Sequence, residues 1–243
     1  MTNNFNSNNL RTIAYRQIID LTHPIHPNIP IWPGDPATEF ETVSQIEKNG
    51  YFLRKFSMGE HSGTHINAPN SFYTEGASID TYSPQSLVCP AIAIDIRDQS
   101  LANPDYSLTI DDVLNWERQH KLIEPENLVL LYTGWQAKWD DEQAFFNRDD
   151  RGICHFPGFG TAATQFLLEE RSIAGIGTDT HGVDPGRDQS FAVNKLILEK
   201  QLIVLENLAN LDLLPAAEFT LAIGIMRLLG GSGSPVSVLA FVA

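Results

Sequence analysis

Nine short segments of this chain read as β-strands: Gln17–Thr22, Glu39–Ile46, Tyr51–Met58, Val88–Ile96, Leu128–Tyr132, Ile173–Gly177, Leu202–Leu205, Thr220–Arg227 and Val236–Val242. Each is rich in β-branched or alternating apolar residues and is bounded by Gly, Pro, Asn or Asp. Three segments read as helices. Thr109 opens TIDDVLNWERQ, with a hydroxyl to cap the first turn and acids near its positive end; Thr161 opens TAATQFLLEER; Phe191–Lys200 is the third. Strands therefore outnumber helices and arrive in clusters, which excludes a regular βαβ alternation. The expected fold is α/β of a layered kind, a mixed sheet with helices packed outside. No repeat or low-complexity linker divides the chain, and Gly and Pro are spread throughout. One domain over residues 17–243 is expected, preceded by a polar, Asn-rich extension over 1–16 that should be flexible.

A chain of 243 residues can bury a core without disulfides or a structural metal. Its two cysteines, Cys89 and Cys154, form neither a disulfide framework nor a zinc-finger spacing. Thirty acidic against 16 basic residues give a formal charge of −14, which opposes both nucleic acid and anionic membrane surfaces. The N-terminus lacks the basic-then-apolar pattern of a secretory signal. The apolar stretch LVCPAIAI is under half the roughly 20 residues a membrane helix needs, and it contains a proline. A soluble, cytoplasmic protein with reduced thiols is expected.

Three segments carry candidate chemistry. The first, MGEHSGTHINAPNSFY from Met58, places His61 and His65 four residues apart. Ser62, Gly63 and Thr64 between them are poor helix formers and Pro69 follows, so the backbone should be extended or turning. His65 and Asn67 then share one side and Ile66 faces the other. Two imidazoles and an amide oxygen could hold a divalent ion with positions open for water; alternatively they could only brace a tight turn. The second segment is Phe191–Glu206. Asn194 interrupts the apolar helix stripe of Phe191 and Leu198, and Glu206 ends a buried run, where a lone carboxylate is expensive. An Asn–Glu hydrogen bond and a metal site are both open readings. The third is GTDTHGVDPG from Gly177. Here an Asx-type turn closed by Asp184-Pro185-Gly186 accounts for the aspartates and leaves His181 as an acid–base candidate.

The chain also resembles the metal-dependent cyclase-like hydrolases, the family of kynurenine formamidase and isatin hydrolase relatives. The resemblance runs from Ile19 onward through IDLTHPI, PIWPGDP, HSGTHINAPNSF, LLYTGW, FPGF, GTDTHGVDP, LENLANL and GGSGSP, in that order. It implies a swivelling β/β/α fold and a site built on His-x-Gly-Thr-His-x-Asp-x-Pro-x-His plus a later histidine and glutamate. Carried across, the metal ligands are His61, His65, Asn67, Asn194 and Glu206, with Asn67 and Asn194 standing where the family has aspartate and histidine. Ser71 replaces the family's proton-transfer histidine, and His181 or Ser71 is the catalytic candidate to supply that function. Amides cannot provide the charge of a bridging carboxylate. The second metal position should be lost, leaving one zinc or manganese ion or weak loading. Trp32 and Phe72 are the candidates for flanking a planar substrate. The implied reaction is hydrolysis of a C–N bond in an aryl formamide or cyclic amide, with a homodimer or higher homo-oligomer as the assembly. The alternative is a non-catalytic descendant that binds a small metabolite or a protein partner.

Overall fold

The computed structural model describes residues 12–243. In chain order the elements are β1 (Gln17–Asp20), β2 (Glu39–Ser44), α1 (Ile46–Asn49), β3 (Leu53–Ser57), β4 (His65–Asn67), β5 (Val88–Asp95), α2 (Arg97–Ala102), β6 (Ser107–Leu108), α3 (Ile110–Gln119), β7 (Leu128–Tyr132), α4 (Glu142–Phe146), β8 (Gly158–Phe159), α5 (Thr161–Arg171), β9 (Gly175–Thr178), α6 (Ala192–Glu199), β10 (Ile203–Glu206), β11 (Phe219–Ile225) and β12 (Gly233–Val242). All nine expected strands and three expected helices form, with ends shifted by a few residues. The strand expected to reach Ile46 stops at Ser44, because the next residues turn into α1. Residues 1–11 of the expected extension lie outside the described residues. By Tyr15 and Arg16 the chain is already attached: Arg16 N–H donates to the Val242 carbonyl at 2.8 Å, and the Tyr15 ring meets Phe241 edge-on.

The main sheet is eight-stranded, in the order β1, β12, β11, β5, β7, β9, β10, β4. It is mixed, as expected. Strands β5, β7, β9 and β10 run parallel, and β1, β11, β12 and β4 pair antiparallel. The sheet also closes on itself. The first residues of β12 pair with β4, Gly233 opposite Asn67 and Pro235 opposite His65, so the strand at the end of the order returns to the one near its start. Closure removes edges that would otherwise offer unpaired backbone groups.

Side-chain alternation then divides the interior. Leu128, Leu130 and Tyr132 of β7 join Ile66, Leu205, Leu221 and Val238 in one apolar cluster. Val129 and Leu131 point the other way, packing with Ile176, Val204 and the inward faces of α3, α5 and α6. Thr109 caps α3 as expected and does so reciprocally: its hydroxyl accepts from Asp112 N–H, and the Asp112 carboxylate accepts from Thr109 N–H at 2.8 Å. Thr161 is the first helical residue of α5, but Gly160 occupies the cap position and no side chain caps it. A third apolar cluster, of Ile29, Trp135, Trp139, Phe145, Phe146, Cys154 and Phe156, supports the loops above the sheet.

Where β9 lies between β7 and β10, Gly175 leaves no room for a side chain: a Cβ there would sit 2.2 Å from the Ile203 carbonyl oxygen. Gly175→Ala should therefore lower stability by about 1–3 kcal/mol or more, the range for overpacking. The denaturant midpoint is the measurement, and an unchanged midpoint would contradict the packing described.

Candidate active site

The extended reading of 65–67 is what positions the first half of the site. Strand β4 buries Ile66 in the barrel-side cluster and turns His65 and Asn67 to the opposite side. Pairing with β10 sets His65 directly across from Glu206. The loop after β9 brings His181 and Asp184 to the same end, and α6 contributes Asn194. These groups lie beyond the carboxyl ends of parallel strands, where open α/β sheets place their ligand sites. Trp32, His61, His65, Asn67, Ser71, Phe72, His181, Asn194 and Glu206 all line one cavity of about 220 Å³. Every side chain singled out in the sequence for the site is brought together there.

A hydrogen-bonded lattice fills the floor. Asn67 Nδ2 donates to Asn194 Oδ1 at 2.9 Å and to Glu206 Oε1 at 3.1 Å. Asn194 Nδ2 donates to Glu206 Oε1 and to Asp184 Oδ2, each at 3.1 Å. Val183 N–H adds a third donor to the same Glu206 oxygen. The other oxygen, Oε2, lies 3.1 Å from His65 Nε2. Burial alone would push the Glu206 carboxyl up, but the hydrogen bond and charge of His65, with His181 and the Asn194 amide, hold it at about 2. Glu206 is thus an anion at neutral pH, 5% exposed and surrounded by donors.

Asp184 does not close an Asx turn, contrary to the sequence expectation. Its carboxylate reaches across to α6 and accepts from Val193 N–H at 2.6 Å and Asn194 N–H at 3.1 Å, satisfying orphan donors of the helix start. It is therefore a brace that fixes the Asn194 amide. Burial raises its carboxyl to about 6 against those donors. Asp179 is likewise structural: it accepts from Thr133 N–H and hydroxyl and from Gln136 N–H.

The three histidines differ in what their nitrogens meet. His65 Nδ1 faces the Gly63 carbonyl at 2.9 Å, and a carbonyl only accepts, so Nδ1 carries hydrogen. Its Nε2 then needs a proton or a cation in order to face the Glu206 carboxylate. His61 Nδ1 lies 2.8 Å from Asn67 Oδ1, and its Nε2 lies 3.0 Å from the Ser232 hydroxyl, which also bonds Glu60. Burial and the neighbouring His65 lower the His61 pKa. His181 is buried, and its Nε2 has no hydrogen-bond partner. Its ring lies 5.3 Å from Trp32 and 5.9 Å from His65, centre to centre. Burial, then repulsion from His65, lowers its pKa to about 4, so it is a free base at neutral pH. Ser71 faces the same cavity, but its hydroxyl proton is committed to the Ser232 carbonyl at 2.6 Å.

His23 behaves similarly away from the site. It is stacked on Trp139 at 4.0 Å, and burial lowers it to about 4 from an ordinary 6.5. His23 and His181 stay neutral in the fold but take up protons near 6.5 when the chain unfolds. The contribution of these two histidines is accordingly complete above that pH and is lost as pH drops from about 6.5 towards 4, while Asp184, raised to about 6, contributes in the opposite sense. In thermal melts across this window His23→Phe, which keeps the stacked ring, should lose less Tm than the parent as pH falls.

Does this donor set fit metal ions? Among the described residues no three His, Cys, Asp or Glu side chains converge as a metal site requires. Where a second ion would need a bridging carboxylate and an imidazole, Asn67 and Asn194 instead turn N–H groups toward Glu206, so that position does not fit. The candidate donors for a single cation are His61, His65, the Asn67 side-chain oxygen and Glu206, which do not converge on one point as the side chains stand, although the His65–Glu206 contact itself calls for a positive charge.

The Cyclase family model matches residues 19–185. The chain belongs to that family. It is 34% identical over 244 residues to isatin hydrolase of Roseibium aggregatum, a match covering 93% of this chain and 92% of the relative. It is 27% identical over 219 residues to kynurenine formamidase of Bacillus cereus, covering 90% and 94%. The solved structure of isatin hydrolase A from Ralstonia solanacearum superposes with a TM-score of 0.88 at 32% identity, covering 93% of this chain and 92% of that one. The α/β fold expected of a cyclase-like chain is thus the fold it has.

Sequence reasoning missed several cavity residues. Asp35, Phe156, Pro185, Gly186 and Asp188 line the cavity, and Phe191, read only as a helix start, packs its ring against Phe72 at a tilt, centres 5.5 Å apart. Phe191 adopts a left-handed conformation at φ 54°, uncommon for a bulky residue and a common mark of functional positions. The GDP and FPGF strings around Asp35 and Phe156 were visible, but nothing in a linear sequence says that they face one pocket.

Proposed function

We propose that this cyclase-family chain is a hydrolase that cleaves the C–N bond of an aryl formamide or a cyclic aryl amide. Relatives named isatin hydrolase and kynurenine formamidase support the reaction class. The observation that carries it to particular residues is His181, which lines an aromatic-walled cavity beside His65 and His61 and whose buried Nε2 has no hydrogen-bond partner among the described residues. The hydrolase names of these relatives make the non-catalytic alternative, a pocket that only binds a metabolite or a partner, the weaker reading.

In this reading Trp32 and Phe72 hold a flat aryl ring, and His181 Nε2 accepts a proton from the attacking water and returns it to the departing amine nitrogen. Ser71 positions the backbone at Ser232 and contributes at most an acceptor oxygen. Glu206 keeps His65 oriented, and the Asn67–Asn194 lattice keeps Glu206 charged. One divalent ion, zinc or manganese, would be held by His61 and His65 with the Asn67 carbonyl oxygen or Glu206. When bound it would polarise the amide carbonyl and make water a better nucleophile. Hydrolysis of an aryl formamide and of a cyclic aryl amide, followed spectrophotometrically with zinc or manganese added, tests the proposal. Turnover of neither substrate under either metal would end it.

The same reading places the hydrolase domain at residues 17–243, in the cytoplasm, as a homo-oligomer. Cys89 and Cys154 are free and buried, which suits a reducing compartment. No helix among the described residues is long and apolar enough to cross a membrane. The β2–β3 hairpin exposes Val43, Tyr51, Phe52, Leu53 and Phe56, each by about half or more of its surface. Such a face suits a contact with a second copy of the chain, and light scattering would report the dimer.

A further inference from the structure

We infer that the pocket sorts substrates by charge at its mouth: it favours neutral or cationic aryl amides and disfavours those bearing an anionic group on the ring away from the amide. The inference rests on the amidase reading above for which end of the substrate faces inward. Its basis is where the charges lie. Glu206 and Asp184 lie deep and buried, tied to the Asn lattice and to α6, whereas Asp35 is exposed and Asp188 half-buried at the opening. Among the described residues no lysine or arginine lines the cavity itself; Lys195 stands beside it, its ammonium 5.8 Å from the centre of the Phe72 ring and bound to the Ser190 carbonyl at 2.7 Å. Asp188 is partly spoken for, since it accepts from Ser190 N–H and hydroxyl. The Asp35 carboxylate has no hydrogen-bond or ion-pair partner among the described residues, and its field is felt at His61.

Between the mouth and the floor stand the rings of Trp32, Phe72, Phe156 and Phe191. These low-dielectric walls concentrate a field that open solvent would disperse. The unpaired, buried His181 Nε2 marks the inner end as the place where a polar group of the ligand belongs. A divalent ion at that inner end would offset only half of the four carboxylates and would sit away from the mouth. An added carboxylate on the outer rim of the ring would face Asp35, whose carboxylate has no partner among the described residues, and Asp188, beside which the Lys195 ammonium is held by the Ser190 carbonyl.

The same charge pattern bears on turnover of a cyclic aryl amide. Water adds across the C–N bond, the nitrogen gains a hydrogen, and the new carboxylic acid gives its proton to solvent. A neutral substrate thereby becomes an anion inside a cavity of net negative charge, which favours its release.

The test uses the metal-supplemented enzyme and three matched probes, benzamide, 4-carboxybenzamide and 4-(aminomethyl)benzamide, with binding measured by calorimetry. The carboxylate probe should bind about tenfold more weakly than benzamide at low salt, the scale of one or two partly screened like charges. The gap should shrink at high salt and in Asp35→Asn. Equal or tighter binding of the carboxylate probe, a gap insensitive to both salt and Asp35→Asn, or failure of all three probes to bind would overturn the inference. A parallel kinetic arm compares formanilide with 4-formamidobenzoate. If neither is hydrolysed while the binding order holds, the amidase reading fails and charge selection stands. If both are hydrolysed with equal kcat/KM, charge selection fails and the amidase reading stands.

Discussion

Replacing His181 with Ala should lower kcat/KM on an aryl formamide by about 10²–10⁴-fold, the range for removing a general acid–base group. Of the site's three histidines, His181 is the one with a ring nitrogen, Nε2, that has no hydrogen-bond partner among the described residues, and at a pKa of about 4 it is deprotonated throughout the neutral range. The loss should fall on kcat more than on KM, because the substitution removes the proton-transfer group and leaves the Trp32 and Phe72 rings that hold the substrate in place. Added imidazole should restore part of the activity if the cavity left by Ala admits it. Ser71→Ala provides the contrast. Its hydroxyl is engaged with the Ser232 carbonyl, so removing it should change kcat/KM by only a few-fold, a scale set by one neutral hydrogen bond. Equal activity of the His181 variant and the parent would end the assignment, and a Ser71 loss as large as that of His181 would move the proton-transfer role to Ser71.

Asn67→Asp should produce the largest change in stability, and one that depends on metal. In the parent the amide N–H of Asn67 donates to Glu206 Oε1 at 3.1 Å, inside a site where both residues are nearly inaccessible. An aspartate there removes that donor and sets two carboxylates against each other in a dry environment. In chelator the variant should lose about 3–5 kcal/mol, the scale for leaving a buried charge uncompensated. Added zinc or manganese should recover most of it by supplying the missing positive charge. Combined with Asn194→His, the substitution should also raise the bound metal measured by elemental analysis from at most one equivalent towards two. Two tightly held equivalents in the parent protein would refute the view that the amides have displaced the second ion, as would a variant whose denaturant midpoint ignores both chelator and metal.

These expectations show how far the linear chain could be read. The strands were legible because they are short apolar runs punctuated by Gly and Pro, and the facing of His65 and Asn67 followed from the two-residue period of extended backbone. Of the three longer helices, α3 was legible from its capping threonine and acidic first turn, α5 from its start at Thr161, and α6 from the apolar stripe that Asn194 interrupts. The short helices α1, α2 and α4 were not, since each is only a turn or slightly more and is held by tertiary contacts. At the site, His61, His65, Asn67, Asn194 and Glu206 stood out by type and position. Asp184 was misread because its turn-forming neighbours Pro185 and Gly186 explained it locally, while its actual partners are the amides of a helix nine and ten residues further on. Asp35, Phe156 and Phe191 were overlooked for a related reason. An exposed aspartate or a packed phenylalanine has no local signature of facing a ligand, and only the assembled walls give it one.

The closure of the sheet sets a timetable for the molecule's birth. Gln17 pairs with Val242, and the residues of β4 that carry His65 and Asn67 are gripped on one side by β10 and on the other by Gly233–Pro235. Nothing in the first two hundred residues can complete that ring alone. As the ribosome delivers the chain, His65 and Asn67 of β4 emerge early and wait, unpaired on one side, until β12 has been made. Contacts of such high sequence separation slow folding, and they also make the pocket an all-or-none product. A chain interrupted before its final strand carries the imidazoles and the glutamate but no enclosure to hold them, and so it has no means of acting on amides before it is whole.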